Sequence, residues 1–162
     1  MKIIGIDPGL RFSGFGIISN ENYTTSLLDS GYLSLPSSKS LPERVALFHD
    51  FFIAKITSFH ITDLALETPF LGKNAQNFLK LGYLRGIVYL LVQKNNITLH
   101  EYSPREIKQA ITGWGGASKE QVARVILQLF PRLEKPKKED VTDALAISLC
   151  GMWKKNQKRM SL

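Results

Sequence analysis

Four acidic residues stand at the ends of apolar segments, and their types and spacing suit one kind of chemistry. Asp7 and Glu67 each close an apolar run. Asp140 and Asp143 lie three residues apart beside an apolar helical stripe. Carboxylates gathered in a partly buried place raise one another's pKa unless a cation accompanies them. An all-oxygen set favours Mg²⁺ or Mn²⁺ over zinc, and two such ions can catalyse phosphodiester hydrolysis. The pattern predicts a metal-dependent nuclease if the four side chains converge.

Three of these acids also have a purely structural interpretation. Asp7 precedes Pro8-Gly9, and Asp in that setting stabilises a turn. Acids near a helix N-terminus are stabilised by the helix dipole, which explains Asp140 well and Asp143 less well. Spacing alone therefore leaves open whether the four carboxylates meet.

The segment that carries Asp7 predicts the central strand of a sheet. Lys2–Asp7 contains three Ile and shows no polar alternation, which is typical of a strand buried on both faces. Ser13–Ile18 follows closely enough to pair with it as a hairpin, and Tyr23–Leu35 extends the meander. Apolar residues then recur every three or four positions from Pro42 to Phe59, which predicts a helix.

A strand after that helix predicts the position of Glu67. Ile61–Glu67 is apolar, and a strand that follows a helix usually crosses over to lie parallel to an earlier strand. The carboxyl ends of the two strands, with Asp7 and Glu67, are then neighbours.

The second half of the chain predicts one more strand and four helices around the sheet. Two capping boxes, Ser103–Glu106 and Ser118–Gln121, begin two of the helices, so Glu106 is assigned as a cap. The element order predicts a mixed α/β domain with a central sheet flanked by helices. The other predicted elements are a helix over Asn74–Lys94, a strand over Ile97–Tyr102 and a last helix over Glu139–Trp153.

Two glycines lie one turn apart in the predicted long helix, where glycine is destabilising. Gly82 and Gly86 each cost about 1 kcal/mol relative to Ala in a helix. We expect another helix to approach them closely, either within this chain or in a second subunit.

Composition predicts a single domain with an anionic partner. The 162 residues suit one hydrophobic core, divided here into a domain at 1–155 and a basic tail at 156–162. No apolar run reaches the ~18 to 20 residues of a membrane span, Met1 leads directly into the first strand, and the lone Cys150 lies in an apolar segment. We expect a cytoplasmic protein without a membrane partner. The net charge of +7 favours nucleic acid, although basicity alone is weak evidence.

Several motifs, in order along the chain, resemble the RuvC family of crossover junction endodeoxyribonucleases. The resemblance extends over essentially the whole sequence. It is carried by Gly5-Ile6-Asp7-Pro8-Gly9, by Glu67 with Phe70, Lys73 and Asn74, by Lys80-Leu81-Gly82 and Arg85-Gly86, by Gly113, Gly115, Ala117, Lys119, Gln121 and Val122, and by Asp140 with Asp143-Ala144-Leu145-Ala146.

The resemblance implies a ribonuclease-H-like fold with a central mixed five-stranded sheet flanked by helices. It implies that the protein is a homodimer. It also implies paired symmetric nicks across a four-way (Holliday) DNA junction during recombination and repair, alongside the RuvA and RuvB branch-migration proteins. Two Mg²⁺ ions per subunit, replaceable by Mn²⁺, would support hydrolysis.

The same resemblance assigns roles to individual residues. The implied metal ligands are Asp7, Glu67, Asp140 and Asp143, and Lys119 joins them as a catalytic residue. Phe70 is implied as an aromatic side chain inserted at the junction. The implied DNA contacts are Phe70, Lys73, Lys80, Arg85, Lys108 and Lys119.

The chain departs from the family pattern at a few positions. Val141-Thr142 replace two Ala, and many relatives carry His where this chain has Asp140. Pro69 and Trp114 are not family features. Asp140 is therefore the ligand that the resemblance supports least, and Pro69 bears on the pose of Phe70.

Three alternative functions remain at this point. Actin-like ATPases and sugar kinases share an opening strand with an Asp-x-Gly hairpin, but they need a second such loop and a second domain, which this chain lacks. The RuvC-like YqgF family of RNA-processing nucleases is another alternative. A junction-binding protein without catalysis is the third.

Overall fold

A computed structural model describes residues 1–21, 24–69 and 75–160, apart from the side chains of residues 158–160. This part of the chain forms a mixed five-stranded sheet, in the order β3-β2-β1-β4-β5, with helices on both faces. The predicted architecture is confirmed. The elements are β1 (Lys2–Asp7), β2 (Phe12–Glu21), β3 (Thr24–Ser34), α1 (Leu41–Phe59), β4 (Asp63–Glu67), α2 (Ala75–Lys94), β5 (Thr98–Tyr102), α3 (Pro104–Thr112), α4 (Lys119–Leu129) and α5 (Glu139–Met160).

Strand β1 is the centre of the sheet, as its composition predicts. It pairs antiparallel with β2 and parallel with β4, with Ile6 opposite Leu66. Ile3, Ile4 and Ile6 are completely buried because helices cover both faces. The crossover through α1 therefore places the ends of β1 and β4 side by side.

Helix α5 lies directly on the sheet because two glycines, Gly5 and Gly14, leave room for it. A Cβ at Gly14 would collide with the carbonyl oxygen of Asp140, and a Cβ at Gly5 would collide with that of Ala144. Because glycine has no Cβ, the backbone of α5 approaches β1 and β2 more closely than side chains would permit. The first turns of α5 are thereby held over the carboxyl end of β1.

The sequence predicts the starts of α3 and α4 correctly, but it does not predict the end of α5. Both capping boxes are present, at Ser103 with Glu106 and at Ser118 with Gln121. Helix α5, however, continues to Met160 rather than ending at Trp153. No Gly or Pro follows Trp153 to stop it, and ion pairs from Lys154 and Lys155 hold its last turns against the protein. Most of the predicted basic tail is therefore helical.

The glycines of α2 do not contact another helix of this chain. A Cβ at Gly82 or Gly86 would meet no atom within 4 Å, and both residues are exposed. The expected close approach is therefore not made within the described chain. None of its helices is both long enough and apolar enough to span a membrane.

Candidate active site

The parallel pairing of β1 and β4 brings two of the predicted acids together. Asp7 is the last residue of β1, and Glu67 is the last residue of β4. Since Ile6 is directly opposite Leu66, the next residues along both strands are neighbours at the same edge of the sheet. Both side chains are partly buried there.

The other two acids reach this edge from helix α5. Asp140 lies in the first turn, above Gly14 of β2, and Asp143 follows one turn later. A side chain at Gly14 would push this helix away from the sheet. The structure thus brings together the four acids whose convergence the sequence leaves open.

The pKa of Asp7 reflects this convergence. Partial burial has the largest effect, and together with the nearby charges of Asp143, Asp140 and Glu67, in that order, it raises the pKa of Asp7 to about 7. Burial also raises the pKa of Glu67, with Asp143 again contributing. A carboxyl that holds a proton near neutral pH is the expected result of crowding negative charges without a cation.

Two lysines complete the site. Asp7, Glu67, Asp143, Lys108 and Lys119 line a cavity of about 200 Å³ between the sheet edge and helices α3, α4 and α5. Nζ of Lys119 donates a hydrogen bond of 2.7 Å to Oδ2 of Asp143. That bond raises the pKa of Lys119, whose charge in turn lowers the pKa of Asp7.

The oxygen atoms of the four carboxylates are the ligand type that a hard divalent cation prefers. All four acids supply oxygen ligands, and a cation would relieve the repulsion that raises the pKa of Asp7. Within the described ranges, however, no three His, Cys, Asp or Glu side chains are already arranged around one ion position. Asp143 is paired with Lys119.

Arg85, which the sequence predicts as a DNA contact, has hydrogen-bond partners inside the protein. Its side chain is only 11% exposed, and it donates hydrogen bonds to the carbonyl oxygen of Glu67 at 2.6 Å and to Oε1 of Glu101 at 2.5 Å. These partners link the end of β4 to α2 and to the neighbouring strand β5.

Sequence reasoning missed the partners that hold Arg85. Tyr89 lies one helical turn later, and its hydroxyl donates to Oε1 of Glu101 at 2.9 Å. The i, i+4 spacing of Arg85 and Tyr89 is a signal that these side chains share a face of α2. Glu101 lies on β5, and only the tertiary structure shows that it meets them.

The other predicted DNA contacts, and two residues that depart from the family pattern, lie at several separate places in the chain. Lys80 is exposed on α2, and Lys108 lines the cavity. Phe70 and Lys73 lie outside the described residues. Val141 and Thr142, which depart from the family pattern, are buried where α5 packs on the protein.

Comparisons with known proteins agree with this geometry. Residues 3–151 match the family model for the crossover junction endodeoxyribonuclease RuvC. A protein of that name from Pelodictyon phaeoclathratiforme is 43% identical over 152 residues, which are 94% of this chain and 80% of that protein.

Solved structures give the same result. The structure titled Thermus thermophilus RuvC in complex with Holliday junction substrate superposes with a TM-score of 0.90 at 26% identity, covering 98% of this chain and 96% of that chain. The structure of the yeast mitochondrial Holliday junction resolvase superposes with a TM-score of 0.67 at 17% identity, covering 97% of this chain and 82% of that chain. At this identity the match supports the ribonuclease-H-like fold alone. By its sequence and its fold, this chain belongs to the RuvC family of crossover junction endodeoxyribonucleases.

Proposed function

We propose that this protein is a structure-selective endonuclease that resolves four-way DNA junctions by paired symmetric nicks, in recombination and repair. The observation that carries the proposal is the convergence of Asp7, Glu67, Asp140 and Asp143 at one edge of the sheet, where burial and the neighbouring charges together raise the pKa of Asp7 to about 7. Membership in a junction endonuclease family supports DNA as the substrate.

The four carboxylates would hold the metal ions. Two Mg²⁺ ions, or Mn²⁺ in their place, would stabilise the charge that develops on the attacking and leaving oxygens of the phosphodiester. The residues supply the remaining functions. Asp7 and Glu67 project from the two rigid strand ends, whereas Asp140 and Asp143 project from α5, so the site closes only when α5 is docked on the sheet.

The two lysines supply positive charge to the scissile phosphate. Lys119 is held by Asp143 and its side chain is 65% exposed, so its ammonium can reach a phosphate at the mouth of the cavity. Lys108 lines the same cavity and its charge lowers the pKa of Glu67. Both charges favour the ionised carboxylates that metal binding requires.

Arg85 holds the end of β4 in place for this chemistry. Its bond to the carbonyl oxygen of Glu67 links the last residue of the strand to α2, and Glu101 fixes the guanidinium from the neighbouring strand. A catalytic carboxylate needs such support because small displacements of a reacting group have large effects on rate.

A homodimer accounts for paired cuts. The exposed face of α2 carries Leu79, Tyr83 and Leu90, which are 59%, 45% and 45% exposed, beside the two open glycines. With α1 it forms an open apolar groove of about 490 Å³. A second copy that packs on this face would cover the patch, and twofold symmetry would place two identical sites on two strands.

The remaining assignments follow from the family. Phe70 and Lys73, three and six residues after Glu67, would contact the junction near the cut, and Lys80 would contact its backbone. RuvA and RuvB are the proposed partners in branch migration, and the cytoplasm is the proposed location. The division into a nuclease domain at 1–155 and a basic tail at 156–162 also stays a prediction.

One experiment tests the function. End-labelled four-way junction and a linear duplex of the same sequence are incubated with the protein, with and without Mg²⁺. We expect paired nicks in the junction only when Mg²⁺ is present, and an intact duplex. Binding without cleavage at any divalent ion would favour the junction-binding alternative, and preferential cleavage of a structured RNA competitor would favour the RNA-processing alternative.

A further inference from the structure

Trp114 is exposed at the turn between α3 and α4, and nothing in the nuclease chemistry described above uses it. At 61%, its exposure is the largest among the exposed large apolar side chains of the described residues. A ring of this size has a large apolar area to bury, and exposed aromatic side chains are often binding elements.

The turn that carries Trp114 is held in one conformation. The side-chain amide of Gln109 donates to the carbonyl oxygen of Gly113 at 2.6 Å and accepts from the N–H of Gly115 at 3.0 Å. Gly113 has a φ of 78°, a left-handed conformation that suits glycine. The hydroxyl of Thr112 accepts from the N–H of Trp114 at 3.2 Å. The backbone on both sides of the indole is therefore braced.

The indole ring itself is supported by the turn. A Cβ at Gly116 would lie 2.7 Å from Cζ2 of Trp114 and 3.2 Å from its Nε1, so the ring lies across this glycine. Only a glycine leaves space for the ring there. The ring is therefore positioned in advance, which reduces the entropy lost when a ligand packs against it.

The chemistry around Trp114 suits a nucleic-acid strand. The two helices that the turn joins each contribute a lysine, Lys108 and Lys119, to the wall of the carboxylate cavity. Lys108 is four residues before Thr112, about 6 Å along α3. Arg105, about one turn before Lys108 on α3, packs its aliphatic stem beside Gly115. An exposed aromatic ring on a turn between two helices that carry basic residues is an arrangement suited to binding unpaired bases and backbone phosphates together.

We propose that Trp114 is a stacking platform for an unpaired base of the DNA strand that passes the carboxylate site. The inference rests on the proposed function, since it assumes that DNA reaches this site. It adds a substrate contact on the α3–α4 turn, where the indole would bind a base that has left the duplex stack near the branch point. Stacking tolerates any base, so Trp114 would contribute affinity for distorted DNA without reading sequence.

Fluorescence tests the contact directly, because the chain contains two tryptophans, Trp114 and Trp153. In Trp153→Phe the only indole is Trp114, and its emission is followed in EDTA, without cleavage, as DNA is added. We expect quenching by a four-way junction and by a single-stranded oligonucleotide, and weaker quenching by a linear duplex whose bases remain stacked. Trp114→Phe, which retains Trp153, is the matched control and should change little. Saturating junction binding without quenching of Trp114, or equal quenching by the duplex, would overturn the proposal.

Affinity tests the contribution of the ring. Trp114→Ala should bind the junction roughly 5- to 150-fold more weakly, the range expected for one stacked base. Gly116→Ala, whose new methyl group displaces the indole, should weaken binding less than that. Leu129→Ala, which trims another exposed apolar side chain (45% exposed), should bind like the unmodified protein. Equal affinity of Trp114→Ala and the unmodified protein would overturn the platform, and so would a larger loss in Gly116→Ala.

Two measurements separate this inference from its alternatives. A fall of several degrees in the melting temperature of Trp114→Ala would identify the ring as structural, and a change in its sedimentation would identify it as a contact between copies. Either result overturns the proposal. If the unmodified protein fails to cut junctions, the proposed function is wrong, whereas quenching by the single-stranded oligonucleotide still decides whether Trp114 stacks on bases.

Discussion

Nζ of Lys119 lies 2.7 Å from Oδ2 of Asp143, although 24 positions separate the two residues in the chain. Lys119 is the first residue of α4, and Asp143 lies in the second turn of α5. The contact joins the two helices at the mouth of the carboxylate cavity. It also gives Asp143 a cationic partner from the protein itself.

Asp7→Asn should abolish cleavage while preserving junction binding. The substitution keeps the shape of the side chain but removes a charged oxygen ligand, so we expect the rate to fall by orders of magnitude. Cleavage and gel-shift assays on one labelled junction measure the two effects. Asp140→Asn, measured in parallel, tests the ligand that the family supports least. Cleavage by Asp7→Asn close to the rate of the unmodified protein would contradict the site.

Without metal, Asp7→Asn should also melt at a higher temperature than the unmodified protein at pH 8. The pKa of Asp7 is raised in the folded state to about 7, so the unmodified protein loses stability as pH rises from the unfolded value near 4 to above 7. Asn does not titrate. The difference should disappear at pH 4, and Mg²⁺ should stabilise the unmodified protein more than the variant. Equal melting curves at pH 8 would show that Asp7 is not strained by its neighbours.

Lys119→Ala should slow cleavage about 100-fold, the effect typical of removing one group that stabilises developing charge. Its side chain is 65% exposed, so thermal stability should change little. Lys94→Ala, which removes an exposed charge at the end of α2, is the matched control. Equal rates for the two variants would remove Lys119 from the catalytic site.

Arg85→Ala and Lys80→Ala should behave differently, although the family assigns both residues to DNA. Arg85 is buried and paired with Glu101, so its loss leaves hydrogen-bond partners unsatisfied and should lower the free energy of unfolding by about 1 to 3 kcal/mol. Lys80 is exposed, so its loss should leave stability unchanged and reduce the salt dependence of junction binding. Urea unfolding and binding at several salt concentrations measure both. A normal stability of Arg85→Ala with a reduced salt dependence would identify Arg85 as a DNA contact.

Asp63→Asn should destabilise the protein at pH 7 but not in strong acid. Asp63 is 1% exposed, and burial alone would raise its pKa. Hydrogen bonds from His100, Lys155 and Thr62 outweigh burial and hold that pKa well below its usual range. The stabilisation is therefore complete above the unfolded value near 4 and is lost as pH falls through the lower folded value. Between pH 2 and 8, the difference in melting temperature between the two proteins should be constant above the unfolded value and shrink steadily as pH falls below about 4, and a constant difference over the whole range would contradict the assignment.

Tyr83→Asp should dissociate the proposed dimer. The residue is 45% exposed on the apolar face of α2, where a buried charge would be costly for a partner subunit. Sedimentation should show a dimer for the unmodified protein at micromolar concentration and a monomer for the variant. Leu28→Asp, at an exposed apolar residue of β3, is the control. A dimer of undiminished affinity in Tyr83→Asp would place the interface elsewhere.

The sequence by itself determined the elements and one half of the site. The apolar run of β1, the helical period of α1 and the capping boxes at Ser103 and Ser118 are local patterns, and each depends on residues only a few positions apart. The handedness of crossover connections adds one non-local result, the pairing of β1 with β4. That pairing alone makes Asp7 and Glu67 neighbours.

The tertiary structure decided how the helices meet this edge of the sheet. The burial of Arg85 against Glu101 and the contact of Lys119 with Asp143 depend on how α2, α4 and α5 dock. Docking is set by how surfaces from distant parts of the chain fit together, and local periodicity does not encode that fit. At Gly14, for example, the lack of a Cβ is what lets α5 approach β2. For the same reason a charged residue such as Arg85 has the same sequence signature whether it contacts DNA or supports a strand.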